Sequence, residues 1–255
     1  MNIKRMRVCM ICISMICISM ICISMICMSA TLLAAAEPGQ IVRVSQTQHF
    51  DFPSGGTIRL KNSTGVLTIE AWDRPEVEIT TIKSTKVEIA STGREGAAQK
   101  LGKVHVACQL RGNELMVTTA FPGPRDFPLR FDLEYHIKAP ANTRIVDNHH
   151  FGDVNIDGLV NDIDVSVGQG EIMLHLPQEG LYSIQAKSNF GSVNSDFSEL
   201  EKHSWWLLGH RSVNANTGAA LHLNLKVEFG DIVLLRTRLP KAPDSLLSAR
   251  GAEGL

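Results

Sequence analysis

The chain has 255 residues, 25 Lys and Arg against 26 Asp and Glu, and a net charge of −1 with histidine neutral. That balance excludes a partner captured by bulk positive charge, such as nucleic acid in general or an anionic membrane.

Residues 1–36 differ from the rest. Lys4, Arg5 and Arg7 precede an uncharged, largely apolar run from Val8 to Leu33, and Ala34-Ala35-Ala36 stands before Glu37-Pro38. A basic start, an apolar run and small residues compose a secretory signal. The run exceeds the ~7–15 residues usual for one and reaches the ~20 of a membrane span. A cleaved signal and an uncleaved N-terminal anchor are therefore the two alternatives. Either keeps the basic flank cytoplasmic and exports the body. Met-Ile-Cys-Ile-Ser at 10, 15 and 20, then Met-Ile-Cys-Met-Ser at 25, repeat with a period that suits neither helix nor strand packing. Tandem duplication in a segment that needs only apolarity explains it. Cys12, Cys17, Cys22 and Cys27 have no His or acidic neighbours there, against a metal or redox tract. Without the segment Cys108 is the one cysteine left, so no intramolecular disulfide can form. Three of the 25 basic residues also go, leaving 22 against 26 acidic, a net of −4. The body then rests on its core alone.

Residues 41–90 read as strands. Thr57–Leu60 and Val66–Ile69 flank a turn at Asn62-Ser63-Thr64-Gly65, and Val77–Thr80 follows Trp72-Asp73-Arg74-Pro75. Residues 93–102 predict a single short helix around Glu95 to Leu101. Lys103–Leu110 and Glu114–Ala120 predict a hairpin about Arg111-Gly112-Asn113. Phe121-Pro122-Gly123-Pro124 and Phe127-Pro128 mark a loop, and Leu129–Ile137 is a long strand ending at Ala139-Pro140.

Next, Phe151-Gly152-Asp153-Val154, Phe190-Gly191-Ser192-Val193 and Phe229-Gly230-Asp231-Ile232 repeat one motif at a spacing of 39 residues. Gly170 and Gly209 mark half-steps, dividing each 39 into 18 and 21. Between the glycines, apolar and polar residues alternate, as in Asp162-Ile163-Asp164-Val165-Ser166-Val167 and Leu221–Val227. That is the period of a strand with one buried face. A fixed period with strand alternation predicts stacked supersecondary units that bury their apolar faces on one another. The fold class expected is all-β, a single-stranded parallel β-solenoid with rungs of about 18–21 residues and two or three short strands per rung. Each motif is read as a corner: Phe fills the interior and stacks on its equivalent two rungs away, Gly turns the chain, and Val or Ile opens the next strand. The solenoid domain spans 37–240, and 241–255, polar and aperiodic, is expected to be a disordered tail.

Gly-Thr-Ile-Arg-Leu-Lys-Asn-Ser-Thr-Gly-Val-Leu-Thr-Ile (56–69), Ala-Trp-Asp-Arg-Pro-Glu-Val-Glu-Ile (71–79) and Tyr-His-Ile-Lys-Ala-Pro (135–140) lead into the repeated Gly-[Asp/Glu/Ser]-[Val/Ile] turns. In this order, over about 41–236, they resemble the bacterial exported "putative adhesin" domain of unknown function, also called the toast-rack domain. The resemblance implies a β-solenoid outside the cytoplasm and brings no catalytic residues. Phe197–Leu208 departs from the pattern, so an irregular rung or an insertion is expected there.

Candidate sites meet structural competition. Asp153, Asp157, Asp162 and Asp164 are dense enough for calcium, but no calcium-loop spacing links them, and Asp162 and Asp164 share one solvent face. His149-His150 beside Asp147 offers zinc ligands, but neighbours in a strand point to opposite faces. Surface or turn histidines are expected. Trp205-Trp206, with His203 and His210 nearby, can grip a sugar or partner or can cap the interior, and is the best contact candidate. Cys108 alternates within Val104–Cys108 as a small core residue. No Ser-His-Asp motif, P-loop or Cys-x-x-Cys occurs.

The expectation is a non-enzymatic exported module of a bacterial cell envelope, periplasmic or at the cell surface, acting in adhesion, scaffolding or sensing. No catalytic, cofactor or metal residues are assigned. The partner is an unidentified envelope protein or glycan, not nucleic acid, with membrane contact only through an uncleaved N-terminal segment. The alternative is a polysaccharide hydrolase or lyase, which needs carboxylates such as Asp147, Asp153 and Glu171 to converge in a cleft.

Overall fold

The computed structural model describes residues 40–87, 93–121, 131–177, 181–197, 201–204, 210–213 and 221–237. The expected signal 1–36, the expected tail 241–255, Gly209 and Trp205-Trp206 lie outside the described residues. Among the described residues no helix is long and apolar enough to cross a membrane.

The elements in chain order are β1 (Gln40–Asp51), β2 (Thr57–Thr64), β3 (Val66–Trp72), β4 (Glu76–Val87), α1 (Gly93–Gly102), β5 (His105–Arg111), β6 (Glu114–Ala120), β7 (Asp132–Pro140), β8 (Arg144–Phe151), β9 (Val154–Asp157), β10 (Ile163–Gln169), β11 (Ile172–Pro177), β12 (Tyr182–Phe190), β13 (Val193–Ser195), β14 (Glu201–Ser204), β15 (His210–Val213), β16 (Leu221–Phe229) and β17 (Ile232–Thr237). The expected helix and hairpin are both present. Ala97 and Leu101, one helical turn apart, bury α1 against Val42 of β1.

The strands form two mixed sheets. One runs β1-β4-β7-β3-β9-β11-β17-β13 and the other β14-β15-β12-β16-β10-β8-β2-β6-β5. Six times, a strand of the nine-stranded sheet is followed along the chain by one of the eight-stranded sheet: β2/β3, β6/β7, β8/β9, β10/β11, β12/β13 and β16/β17. Each such pair is a tier, and neighbouring tiers pair in parallel in both sheets. Alternation sends every second side chain between the sheets. Ile58, Leu60, Leu67, Ile69, Ile163 and Val165 are among the aliphatics packed there in one continuous cluster.

The tiers do not stack in chain order. Along both sheets they run β6/β7, β2/β3, β8/β9, β10/β11, β16/β17, β12/β13. The first two are exchanged, and so are the last two. A solenoid in which each turn lies on the one before it is therefore not the arrangement found. The end tiers are those that keep antiparallel strands close to them in the chain as edge covers. β5 pairs with β6, β4 with β7, and the β14–β15 hairpin lies on β12. The covers move the edges outward to β1, β5 and β14, while short β13 ends the eight-stranded sheet on the other side. The hairpin occupies the stretch where the pattern was expected to break.

The 39-residue period is a physical register for one of its two steps. Tyr182 pairs with Leu221, Ile184 with Leu223, Ala186 with Leu225 and Phe190 with Phe229. The tier of Phe151 instead neighbours those of Gly65 and Gly170.

Where the chain passes from one sheet to the other, Gly65, Gly152, Gly170, Gly230 and Gly191 form a column in tier order. The reason for glycine is close approach. A Cβ on Gly170 would lie 2.0 Å from the carbonyl oxygen of Gly152, and one on Gly191 would lie 2.0 Å from that of Gly230, both with positive φ. The corner expectation holds for glycine but not for phenylalanine. Phe151, Phe190 and Phe229 are 57%, 49% and 51% exposed. Alternation would put each phenylalanine on the inner side of the pleat, with the buried residues two and four positions earlier, so its exposure comes from the corner itself, where the strand ends at the glycine. Phe190 and Phe229 stack on each other across adjacent tiers, 4.8 Å between centroids and nearly coplanar.

Candidate functional site

β8 places chemistry on both faces of the nine-stranded sheet. Ile145, Asp147 and His149 point inward while Arg144, Asn148 and His150 point out. His149 and His150 point to opposite faces of the strand, as expected of neighbours. The expectation of two surface histidines fails for His149, which is 1% exposed because it shares the pleat face of Ile145.

Inside, the Ser63 hydroxyl of β2 donates to Asp147 Oδ1 at 2.7 Å. His149 Nε2 lies 2.9 Å from the Gly65 carbonyl, so that nitrogen carries the proton and donates it. Its Nδ1 then presents a lone pair towards Asp147 Oδ2, 3.6 Å away, and neither atom has a hydrogen-bond partner. Burial pushes the Asp147 carboxyl up to about 7, against the opposing bond from Ser63. Burial holds the His149 imidazole below its usual value. A neutral acid beside a neutral imidazole fits this interior. Tyr135 and Thr119 complete the polar group with a 2.6 Å bond between their hydroxyls, and burial raises the phenol to about 12.

Ser63, Asp147 and His149 thus gather as a set that no sequence motif announced. Their order is not that of a nucleophilic triad, in which an imidazole takes the serine proton. Here the serine bonds the carboxylate and the imidazole bonds a main-chain carbonyl. The set braces the corner: His149 holds Gly65 in one tier, as Ser188 holds the Gly230 carbonyl at 2.7 Å in another.

The other acidic candidates are dispersed. Asp153 is exposed at the corner, where it accepts the Glu171 amide at 3.0 Å, while Asp147 is interior, so Asp147, Asp153 and Glu171 do not converge. Asp157 lies on the eight-stranded sheet. Asp162 and Asp164 lie on the nine-stranded one, where they accept from the His222 amide and the Asn224 side chain, each at 2.9 Å. Among the described residues no three His, Cys, Asp or Glu side chains are grouped to hold a metal ion. Cys108 is half-buried against the core, and burial raises its thiol to about 11, unlike a reactive cysteine. In the β14–β15 pairing His203 opposes Arg211 and His210 opposes Ser204, so the two histidines do not face each other across the ladder.

The outer face of the same sheet carries a groove of about 460 Å³, bounded by Asn148, His150, Gly168, Lys187, Lys226 and Glu228. A second of about 450 Å³ adjoins it over Arg59, Lys61, Thr118 and Asp164, and the two share Asn148 and Ser166. Both follow one transverse row of the parallel ladder: Thr118, Lys61, Asn148, Ser166, Lys226, Lys187. Small Ser166 and Gly168 on β10 form the floor. Phe151, Gln169, Phe229 and Phe190 form one register row at the corner ends of these strands, three residues beyond the Asn148–Ser166–Lys226–Lys187 row. Sequence reasoning missed this row because β16 lies inside β12, which local patterning does not reveal.

No family model and no curated protein matches the chain. Among solved structures it is similar to a putative cell adhesion protein from Clostridium sporogenes, at 13% identity and a TM-score of 0.44, over 76% of this chain and 100% of that one. It is also similar to a putative adhesin from Bacteroides fragilis, at 10% and 0.29, over 75% and 97%. A putative lipid binding protein from Parabacteroides distasonis matches at 8% and 0.22, over 77% and 97%. Likenesses this distant fix neither fold nor function.

Proposed function

We propose that this chain is a non-enzymatic, exported module of a bacterial cell envelope that binds an extended partner across the outer face of its nine-stranded sheet, in adhesion, scaffolding or sensing. The observation that carries the proposal is the transverse row of Thr118, Lys61, Asn148, Ser166, Lys226 and Lys187. It repeats one polar position across six parallel strands along a continuous groove. A ladder of this kind offers a linear partner a repeated contact every ~4.8 Å. We read the scaffold as a β-solenoid of two-strand turns whose first two and last two turns are exchanged. The basic and apolar start of the chain supports export.

The test is sedimentation of the purified full chain with isolated cell envelopes, together with fractionation and N-terminal sequencing of the protein from its producing cell. Saturable envelope binding and a start near Glu37, or an intact N-terminus in the membrane fraction, are the expected results. A cytoplasmic protein that ignores envelopes would sink the proposal, as would a hydrolytic activity abolished by one substitution.

A further inference from the structure

We infer that the outer groove of the nine-stranded sheet takes an acidic glycan, a chain of sugars bearing sparse carboxylates, laid across the strands. The inference rests on the envelope-binding proposal and specifies its ligand.

Charge comes first. Lys61, Lys226 and Lys187 are exposed, share one row, and have no ion-pair partner among the described residues. Lys226 and Lys187 stand directly opposite each other on adjacent parallel strands. Like charges so placed repel, and an anion between them relieves that repulsion. Of the neighbouring acids, Glu114 is paired by Arg59, while Glu228 and Asp164 take hydrogen bonds from the neutral Asn189 and Asn224 amides, which cancel no charge. A local basic row on a chain with net charge −1 marks a specific surface rather than a general polyanion binder.

The spacing selects among anions. Lys61 lies three strands from Lys226, roughly 14 Å away at ~4.8 Å per strand, with only Asn148 and Ser166 between. Duplex DNA carries one charge per about 1.7 Å of axis, far denser than this row and opposed by Glu228 and Asp164 on either side. A bilayer would present a flat anionic plane, whereas the binding row lies in a trough. A polysaccharide with occasional carboxylates matches the order cation, amide, hydroxyl, cation. Carboxylates seat on the lysines, and hydroxyls bond Asn148 and Ser166. At the corner ends of the same strands, the half-exposed Phe151 and the Phe229–Phe190 stack offer apolar faces to sugar rings that run on past the groove.

The test is titration of the full chain with polygalacturonate, a neutral glucan, a single-stranded DNA oligonucleotide and phosphatidylglycerol vesicles, for the native protein and for Lys187→Gln/Lys226→Gln. Expected is polygalacturonate binding that weakens with salt and falls roughly tenfold in the double variant, with an unchanged melting temperature and no binding of the neutral glucan. Phe229→Ala is expected to weaken it by a smaller factor. Equal affinity in the double variant, no polygalacturonate binding, or tighter lysine-dependent binding of DNA or vesicles would overturn the inference. Envelope sedimentation that survives the double variant would overturn the glycan inference alone. Loss of envelope binding by the native chain would overturn both.

Discussion

The two faces of the nine-stranded sheet use similar residue types to opposite ends. On β8, Asp147 and His149 face inward, and their charge is suppressed and tied to tier corners. One residue further along, Asn148 and His150 face a groove and are exposed. Burial makes the difference. A polar group held between the sheets must be neutral and bonded, whereas the same group outside is free to meet a partner. Substitution inside should therefore cost stability, and substitution outside should cost binding and leave stability intact.

The largest effect is expected where the two faces meet. Gly170→Val or Gly191→Val drives a Cβ into the neighbouring tier's carbonyl at positive φ. Each should lower stability by about 3 kcal/mol or more, roughly 10 °C in Tm for a chain of this size. Thermal melting by circular dichroism checks it, and an unchanged Tm would mean that the column is not a set of packed corners.

Next comes the interior brace. Asp147→Ala takes away the short acceptor of the buried Ser63 hydroxyl, leaving it only the Asn148 carbonyl at 3.3 Å, and should cost about 2 kcal/mol. Adding Ser63→Ala should cost little more, because the orphaned donor goes with it. Denaturant melts of the two singles and the double decide whether the two are coupled.

The pH dependence separates the two members of the brace. Folded Asp147, raised to about 7, keeps a proton that its unfolded form loses near 3.8, so its contribution is lost as pH rises towards 7. Folded His149, lowered, refuses a proton that its unfolded form takes up below 6.5, so its contribution is lost as pH falls through that value. Just below pH 6.5 the folded pair holds its proton on Asp147 and the unfolded pair holds its proton on His149, so the two dependences oppose each other there. In Asp147→Asn stability should rise with pH towards 6.5. In His149→Gln it should fall from about pH 4 to about 7. Parallel slopes in the two variants would break the assignment.

The smaller effects belong outside. Phe190→Ala removes a half-exposed stack and should cost about 1 kcal/mol. Lys187→Gln removes a like-charge pair and should leave stability unchanged or raise it by a few tenths of a kcal/mol at low salt. Tm measured across salt concentrations reads both, and a large loss at Lys187 would put that side chain in the core's service.

What was legible in the sequence is what depends on neighbours in the chain. The alternation in Ile163–Val167 fixed which side chains are buried, and the corner glycines were visible because no other residue fits. The inward pair Asp147 and His149 was also readable, since both share parity with Ile145. Phe151, Phe190 and Phe229 misled because hydrophobicity and parity both suggested burial, while the strand ends at the corner glycine and leaves them exposed. The transverse row was not readable at all. It depends on β16 coming to lie between β10 and β12, and that adjacency is decided by which strands cover the edges.

That placement has a consequence for assembly. A chain synthesised from its N-terminus makes β12 and β13 before the strands that must lie beneath them. The C-terminal pair is a keystone, and the hairpin that caps the end waits on an arch not yet closed. A product cut short after β15 is left with a gap in mid-stack instead of a missing end, so the stack closes only once β16 and β17 are made.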